Sequence, residues 1–271
     1  MEFVTAGGVE VPALGFGTAR MDDYDVQYRA VSAAIEAGYR HVDTAQIYGS
    51  ESAVGDAIAD ADVDRGDVFV TTKLAGENRG YDAVVGSTRE SLDRLGTDYV
   101  DLLLIHWPVA DADTAETLRA MNDLRDDGLV SHLGVSNFSV AETRAAVRDS
   151  EAPLVTNQVE YHLSHRQDDL LAYCIDEGVM LTAYSPLGVG DVLDDATLGA
   201  VADRHGKTPA QVALRWLLEQ PMVSAVPMSS SPEHSRENFE IFDFELRDST
   251  VRDLFEATGG LATDLAAKLG L

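Results

Sequence analysis

Three ionisable residues of different kinds each follow a short β-branched run in the first part of the sequence. Asp43 comes after Arg40–Val42, Lys73 after Val68–Thr72, and His106 after Tyr99–Ile105. A carboxylate, an ammonium and an imidazole gathered in one place can hold, move or donate a proton. The remaining runs also end on hydrogen-bonding groups: Thr18 after Leu14–Gly17, Ser136-Asn137 after Ser131–Val135, Gln158 closing Leu154–Gln158, and Tyr184 after Met180–Ala183. Val223–Val226 is followed by Pro227. Taken alone, Asp43 reads as a helix cap, Lys73 as a surface ion pair and His106 as a core histidine. Placed together at the ends of successive runs, they read as a site.

The elements between them support that placement. A hairpin is expected over Phe3–Val11, turning at Gly7-Gly8, and eight strand-like runs follow. Helix-period segments alternate with the runs, among them Gln27–Ala37, Ala83–Leu95, Ala115–Asp126 and Pro209–Glu219. Gly38, Gly96, Gly128 and Gly178 stand where helices would end, and Thr208-Pro209 where one would start. Regular alternation without a linker implies a parallel sheet with crossover helices. Eight strands close most simply into a (β/α)8 TIM barrel spanning 1–271 as one domain, whose active residues would lie at the strands' C-terminal ends. An open doubly wound sheet is the competitor. It would normally carry G-x-G-x-x-G after its first strand, and Leu14-Gly15-Phe16-Gly17-Thr18 does not match.

The strings around these ends are Gly38-Tyr39-Arg40-His41-Val42-Asp43-Thr44-Ala45, Tyr48-Gly49-Ser50-Glu51, Thr71-Thr72-Lys73-Leu74, Leu104-Ile105-His106-Trp107-Pro108, Gly134-Val135-Ser136-Asn137-Phe138 and Asn157-Gln158-Val159-Glu160-Tyr161-His162. From about residue 3 to residue 258 they resemble the aldo-keto reductase family, particularly its shorter microbial members related to diketogluconate reductases. The resemblance implies hydride transfer from NAD(P)H to a small aldehyde or ketone, with Asp43, Tyr48, Lys73 and His106 as catalytic tetrad. Each residue type suits that reaction. Reduction puts negative charge on the carbonyl oxygen, which then needs a proton, and Tyr48 can give one. A neighbouring ammonium, Lys73, favours phenolate and lowers the phenol's pKa. Asp43 keeps the lysine charged and placed, and His106 orients the carbonyl.

The resemblance also implies that Ser136, Asn137 and Gln158 hold the nicotinamide carboxamide, for which their donors and acceptors are suited. Tyr184 would stack on the ring. Thr18 and Asp43 would lie beside the cofactor, Ser185 and Leu187 over its pyrophosphate, and Ser229, His234 and Asn238 toward its adenosine end. Ala19, Tyr48, Ala75, His106 and Trp107 would line the substrate pocket, with Ala19 and Ala75 standing where relatives commonly carry large aromatics. NADPH-preferring relatives carry a lysine directly after the proline that follows the last strand and an arginine six residues beyond. Met228 and His234 occupy those places here, so NADH use at least comparable to NADPH is expected, with Arg236 near enough to substitute in part. Glu160 and His162 read as supporting residues, and His41 as a barrel-wall residue. Leu261, Leu265 and Leu269 have the spacing of a docked helix. A non-catalytic nicotinamide-nucleotide-binding regulatory subunit on the same barrel is the alternative.

Composition sets the surroundings. Forty-seven acidic against 20 basic residues give a formal charge of −27, and the acids are spread along the chain, as at Asp22-Asp23, Asp126-Asp127 and Asp194-Asp195. Such a surface disfavours nucleic acid and anionic membranes. It repels itself unless salt screens it, which suggests a cytoplasmic protein of a high-salt cell; a merely acidic enzyme is the plainer reading. The N-terminus has neither the basic patch nor the apolar stretch of a signal peptide, and no run is apolar enough to span a membrane. Cys174, the single cysteine, sits in an apolar helical run and reads as a buried thiol. Histidines outside the tetrad lack close ligand spacing, so no metal is expected, and a monomer is.

Overall fold

The computed structural model describes residues 1–110 and 112–271. Strands β1 (Phe3–Ala6) and β2 (Val9–Pro12) form an antiparallel hairpin. Its turn needs Gly7 and Gly8, both with positive φ (57° and 84°), the backbone whose twist suits a two-residue hairpin. Eight strands follow: β3 (Phe16–Gly17), β4 (His41–Asp43), β5 (Phe69–Leu74), β6 (Val100–Ile105), β7 (Val130–Ser136), β8 (Leu154–Glu160), β9 (Met180–Tyr184) and β10 (Val223–Val226). They pair in parallel and in chain order.

The first and last strands meet. Leu14 bridges Ala225, the Gly15 N–H donates to the Ala225 carbonyl at 2.8 Å, and the Gly17 N–H donates to that of Pro227 at 2.9 Å. The sheet is therefore a nearly closed (β/α)8 TIM barrel with an N-terminal hairpin, as the alternation predicts. The seam admits no side chain, because a Cβ on Gly17 would stand 2.9 Å from the Val226 carbonyl oxygen.

Period-two alternation sorts the strand residues. Val70, Leu74, Leu103, Ile105, Val135 and Leu181 join the large apolar cluster between sheet and helices. Leu102, Leu104, Val155 and Met180 point inward, where Ala6 and Val11 of the hairpin pack against them and fill the N-terminal end of the barrel. The crossover helices end as expected, with Gly38, Gly96 and Gly178 in the left-handed conformation. Thr208 and Gln211 form a reciprocal capping box before Pro209–Leu218. The C-terminal helix Thr263–Leu269 buries Leu265, and Lys268 pairs with Asp176 of the helix Asp168–Glu177. Cys174 is fully buried, which pushes its thiol pKa up to about 12 and leaves it an unreactive apolar residue. Among the described residues no helix is long and apolar enough to cross a membrane, and no cluster of side chains could hold a metal.

Candidate active site

Seven of the eight barrel strands deliver their C-terminal ends to the wall of one cavity of about 500 Å³. Lys73, near the end of β5, is completely buried, its stem inside the barrel. Its Nζ donates to Asp43 Oδ1 at 2.5 Å and to the Thr44 carbonyl at 2.8 Å. The other Asp43 oxygen accepts from Gln158 Nε2 at 2.7 Å across the barrel. A buried carboxylate so bonded fixes the ammonium in place and offsets the cost of burying both charges.

Tyr48 ends a short 3₁₀ turn, Gln46–Tyr48, stopped by Gly49 at φ 66°. The turn is held from below: the Ser50 hydroxyl pairs with Thr18 Oγ1 at 3.0 Å and with Thr44 Oγ1 at 2.7 Å. Glu51, buried at the start of the next helix, accepts from Thr72 Oγ1 at 2.6 Å and from Arg94 Nε at 2.7 Å. The phenol oxygen then lies 3.4 Å from His106 Nε2, while Lys73 Nζ is 5.1 Å from the centre of the Tyr48 ring. Burial lowers the His106 pKa to about 4, with Lys73 and Arg79 adding to the effect and Asp43 opposing it. The imidazole is neutral near pH 7.

For Tyr48 the balance differs from the expectation of a lowered pKa. Burial raises it and outweighs the opposing pull of Lys73, so the phenol is fully protonated at neutral pH. The protonated phenol and the imidazole Nε2, a donor in the Nε2–H tautomer, therefore converge on one point of the cavity. A carbonyl oxygen there could be polarised by both and protonated by one.

The amide-binding candidates form a connected rim. Ser136 Oγ donates to the Gln158 carbonyl at 2.8 Å. Asn137 Nδ2 donates to the His106 carbonyl at 2.9 Å and to Ser136 Oγ at 3.0 Å, and its Oδ1 accepts from the Tyr184 hydroxyl at 2.9 Å. Asn137 takes φ 64°, a left-handed conformation asparagine tolerates better than most residues. Ser136, Asn137, Gln158, Tyr184, Ser185 and Leu187 all line the cavity. A second cavity of about 230 Å³ contains Ser229, His234 and Asn238 and shares Leu187 and Met228 with the first. The two share that stretch of wall, so a polar rim, the Tyr184 phenol face and the polar groups Ser229, His234 and Asn238 follow one another along one cleft.

Two expected residues stand elsewhere. Thr18 is buried with its hydroxyl on the Asp43 carbonyl (3.1 Å) and Ser50, so it braces the barrel rim and does not line the cleft. Ala75 is buried and off the cavity wall. Gln46 Oε1 accepts from its N–H at 2.8 Å and from Asn78 Nδ2 at 2.9 Å, drawing that loop toward the Tyr48 turn. Ala19, Tyr48, His106 and Trp107 do line the cavity. So do Arg20, Ile47 and Val189, which sequence reading passed over. Ile47 was findable, since it lies inside the motif beside Tyr48 and is 57 % exposed. His162 supports a loop, as expected: its backbone pairs with His165, and its ring lies 3.5 Å from Glu160.

Known proteins share this fold and much of this sequence. The chain is 41 % identical over 239 residues to a glyoxal reductase of Bacillus subtilis, covering 88 % of this chain and 86 % of that protein. A crystal structure provisionally named as a 2,5-diketo-D-gluconic acid reductase B superposes with a TM-score of 0.93 at 43 % identity, over 97 % of this chain and 93 % of the other. An aldo-keto reductase of Bombyx mori, solved in complex with NADP, gives 0.87 at 34 % identity over 98 % and 95 %. The profile of the Aldo/keto reductase family matches residues 13–258, taking in every strand of the barrel and all four ionisable or phenolic groups at its mouth, and the chain belongs to that family.

Proposed function

We propose that the protein reduces the carbonyl of a small aldehyde or ketone with NAD(P)H, Tyr48 giving the proton. The observation that carries this is the convergence of the Tyr48 hydroxyl and His106 Nε2, 3.4 Å apart, over the buried Lys73–Asp43 pair. Ser136, Asn137, Gln158 and Tyr184 would hold the nicotinamide, which when bound supplies a hydride. His106, neutral and able to donate, sets the carbonyl oxygen against the phenol. The Tyr48 proton passes to that oxygen as negative charge forms on it. The phenolate left behind is stabilised by the Lys73 ammonium, whose own charge Asp43 secures. Apolar Ile47 and Trp107 flank the opening and favour carbonyls bearing a modest apolar substituent.

On the cofactor, Met228 cannot pair with a 2′-phosphate, and the exposed His234 lacks the permanent charge and planar fork of an arginine. NADH is proposed to serve at least as well as NADPH. The deciding experiment follows NADH and NADPH oxidation with a panel of small aldehydes in molar salt. Turnover with several aldehydes is expected. Tight cofactor binding without turnover of any of them would favour a nucleotide-sensing subunit, and a kcat/KM for NADPH more than about tenfold above that for NADH would reverse the cofactor assignment.

A further inference from the structure

Two arginines are buried among the described residues, and they are treated oppositely. Arg215 is paired twice, with Glu2 at 2.6 Å and Glu219 at 2.7 Å. Arg79 is 7 % exposed and makes none of the ion pairs found among the described residues. Its Nη2 donates to the Trp107 carbonyl at 2.7 Å, while its Nε and Nη1 are buried without a partner among those residues. The backbone is fixed as firmly, because Thr117 Oγ1 donates to the Arg79 carbonyl at 2.7 Å. Burial pulls the guanidinium's pKa down, but a guanidinium stays charged in any protein environment. A desolvated cation with no ion pair among the described residues, Glu77 attracting it only from beyond salt-bridge distance, destabilises the fold, and such features concentrate at functional sites. Here, in a chain with 47 acidic residues, a buried cation with no ion pair among the described residues is bonded to the residue that follows His106.

We propose that Arg79 is a positioning residue for carbonyl reduction: it clamps the His106–Trp107 segment through the Trp107 carbonyl and keeps a fixed positive charge at that end of the cavity. The inference rests on the carbonyl-reductase reading above. The clamp acts on both residues that touch the substrate from β6. Asn137 holds the His106 carbonyl from one side and Arg79 the Trp107 carbonyl next to it, so two consecutive peptides are pinned by side chains from different loops. Gln46 ties the Arg79 loop, through Ala75 and Asn78, to the turn that carries Tyr48. The proton donor and the carbonyl-orienting group are thereby braced through one loop. The charge adds to this. His106 is faced by Tyr48 from the 3₁₀ turn, Asp43 from β4, Lys73 from β5 and Arg79 from the loop beyond; the two cations disfavour imidazolium, and Asp43 opposes them. A neutral imidazole can donate to the carbonyl without competing with Tyr48 for the transferred proton.

Arg79→Met and Arg79→Lys separate the clamp from the charge. Three quantities are read: kcat and KM for one good aldehyde, cofactor affinity by fluorescence quenching, and the titration of His106 by NMR. Arg79→Met is expected to lower kcat roughly tenfold or more, the scale of a misplaced reacting group. Cofactor affinity should stay within about twofold, and His106 should titrate at higher pH. Arg79→Lys should restore the His106 titration, since it keeps the charge, but recover kcat only in part, since an ammonium lacks the guanidinium's planar fork. A kcat within about twofold of wild type in Arg79→Met, with only the melting temperature lowered, would show mere packing and overturn the proposal. Should Arg79→Met fail to fold, Arg79→Lys decides alone, and wild-type kcat there removes the clamp. If wild type itself turns over no aldehyde, the reductase reading fails, while the His106 titration still reports whether the Arg79 charge reaches it.

Discussion

The two ends of the cleft are built in different ways. At the catalytic end, Asp43, Lys73, His106, Ser136 and Gln158 are all buried, sit at or beside strand ends, and are cross-bonded to one another and to the Thr18–Ser50–Thr44 hydroxyl group beneath. At the far end, Ser229 bonds only its own loop, through Ser231, His234 is exposed at the start of a helix capped by Ser231, and Met228 is 38 % exposed. On the proposed reading, rigid elements hold the reaction and a surface loop holds the cofactor selectivity. Changes at the first end should therefore alter rate and stability, and changes at the second only which cofactor is taken.

The sharpest test is Tyr48→Phe, which keeps the ring and removes the proton. Its kcat should fall by about 10²–10⁴-fold with cofactor affinity nearly unchanged, and retention of more than roughly a tenth of wild-type kcat would remove Tyr48 as donor. Next in size is Lys73→Met. It leaves Asp43 buried without its counter-ion, and unfolding in urea should show a loss of about 3–5 kcal/mol. His234→Ala, at the open end, should cost no more than about 0.5 kcal/mol in the same assay; equal losses would erase the contrast. The double change Met228→Lys with His234→Arg supplies the missing cations and should move the NADPH-to-NADH ratio of kcat/KM about tenfold toward NADPH, leaving the melting temperature in place.

A smaller effect tests the buried end through pH. His106, His41, His132 and His162 all have pKa values lowered by burial in the folded chain. The unfolded chain takes up protons first as pH falls below about 6.5, so stability should be full above that pH and decline toward pH 4, where His106 itself is protonated. Denaturant titrations at several pH values in molar salt, where surface repulsion is screened, should show this slope, and replacing His106 by Gln should lessen it. Last comes the surface. With a charge of −27, the melting temperature should climb as salt goes from low to molar, and a flat or falling curve would dispose of the high-salt reading.

The barrel was readable because eight strand-like runs alternate with helix-period segments, several of them closed by a glycine, and strand ends are fixed by that rhythm alone. Asp43, Lys73 and His106 followed for the same reason. What escaped depended on which way a loop folds over its neighbours. Nothing local says that Thr18 turns its hydroxyl into the rim, that Gln46 draws Ala75 away from the cavity, or that Arg79 ends on the Trp107 carbonyl with no ion pair among the described residues. The Tyr48 proton affinity escaped on different grounds. The sign of Lys73's influence follows from chemistry, but its balance against burial depends on how deeply the turn is set.

The seam between β3 and β10 bears on how the molecule is made. It joins residues about 210 apart, so the barrel stays open at one side until synthesis has passed Ala225, and the ordering of so long an intervening segment must precede the contact. By then Asp43, Tyr48, Lys73 and His106 have long since been translated, yet the rim that would receive a nucleotide comes from Ser136 onward and is completed only by Pro227 and Met228. A nascent chain therefore carries its proton-handling groups well before it has anywhere to put a hydride donor. Amide protons at Gly15, Gly17 and Ala225 should be the last in the barrel to gain protection in pulse-labelled refolding, and early protection there would place closure first.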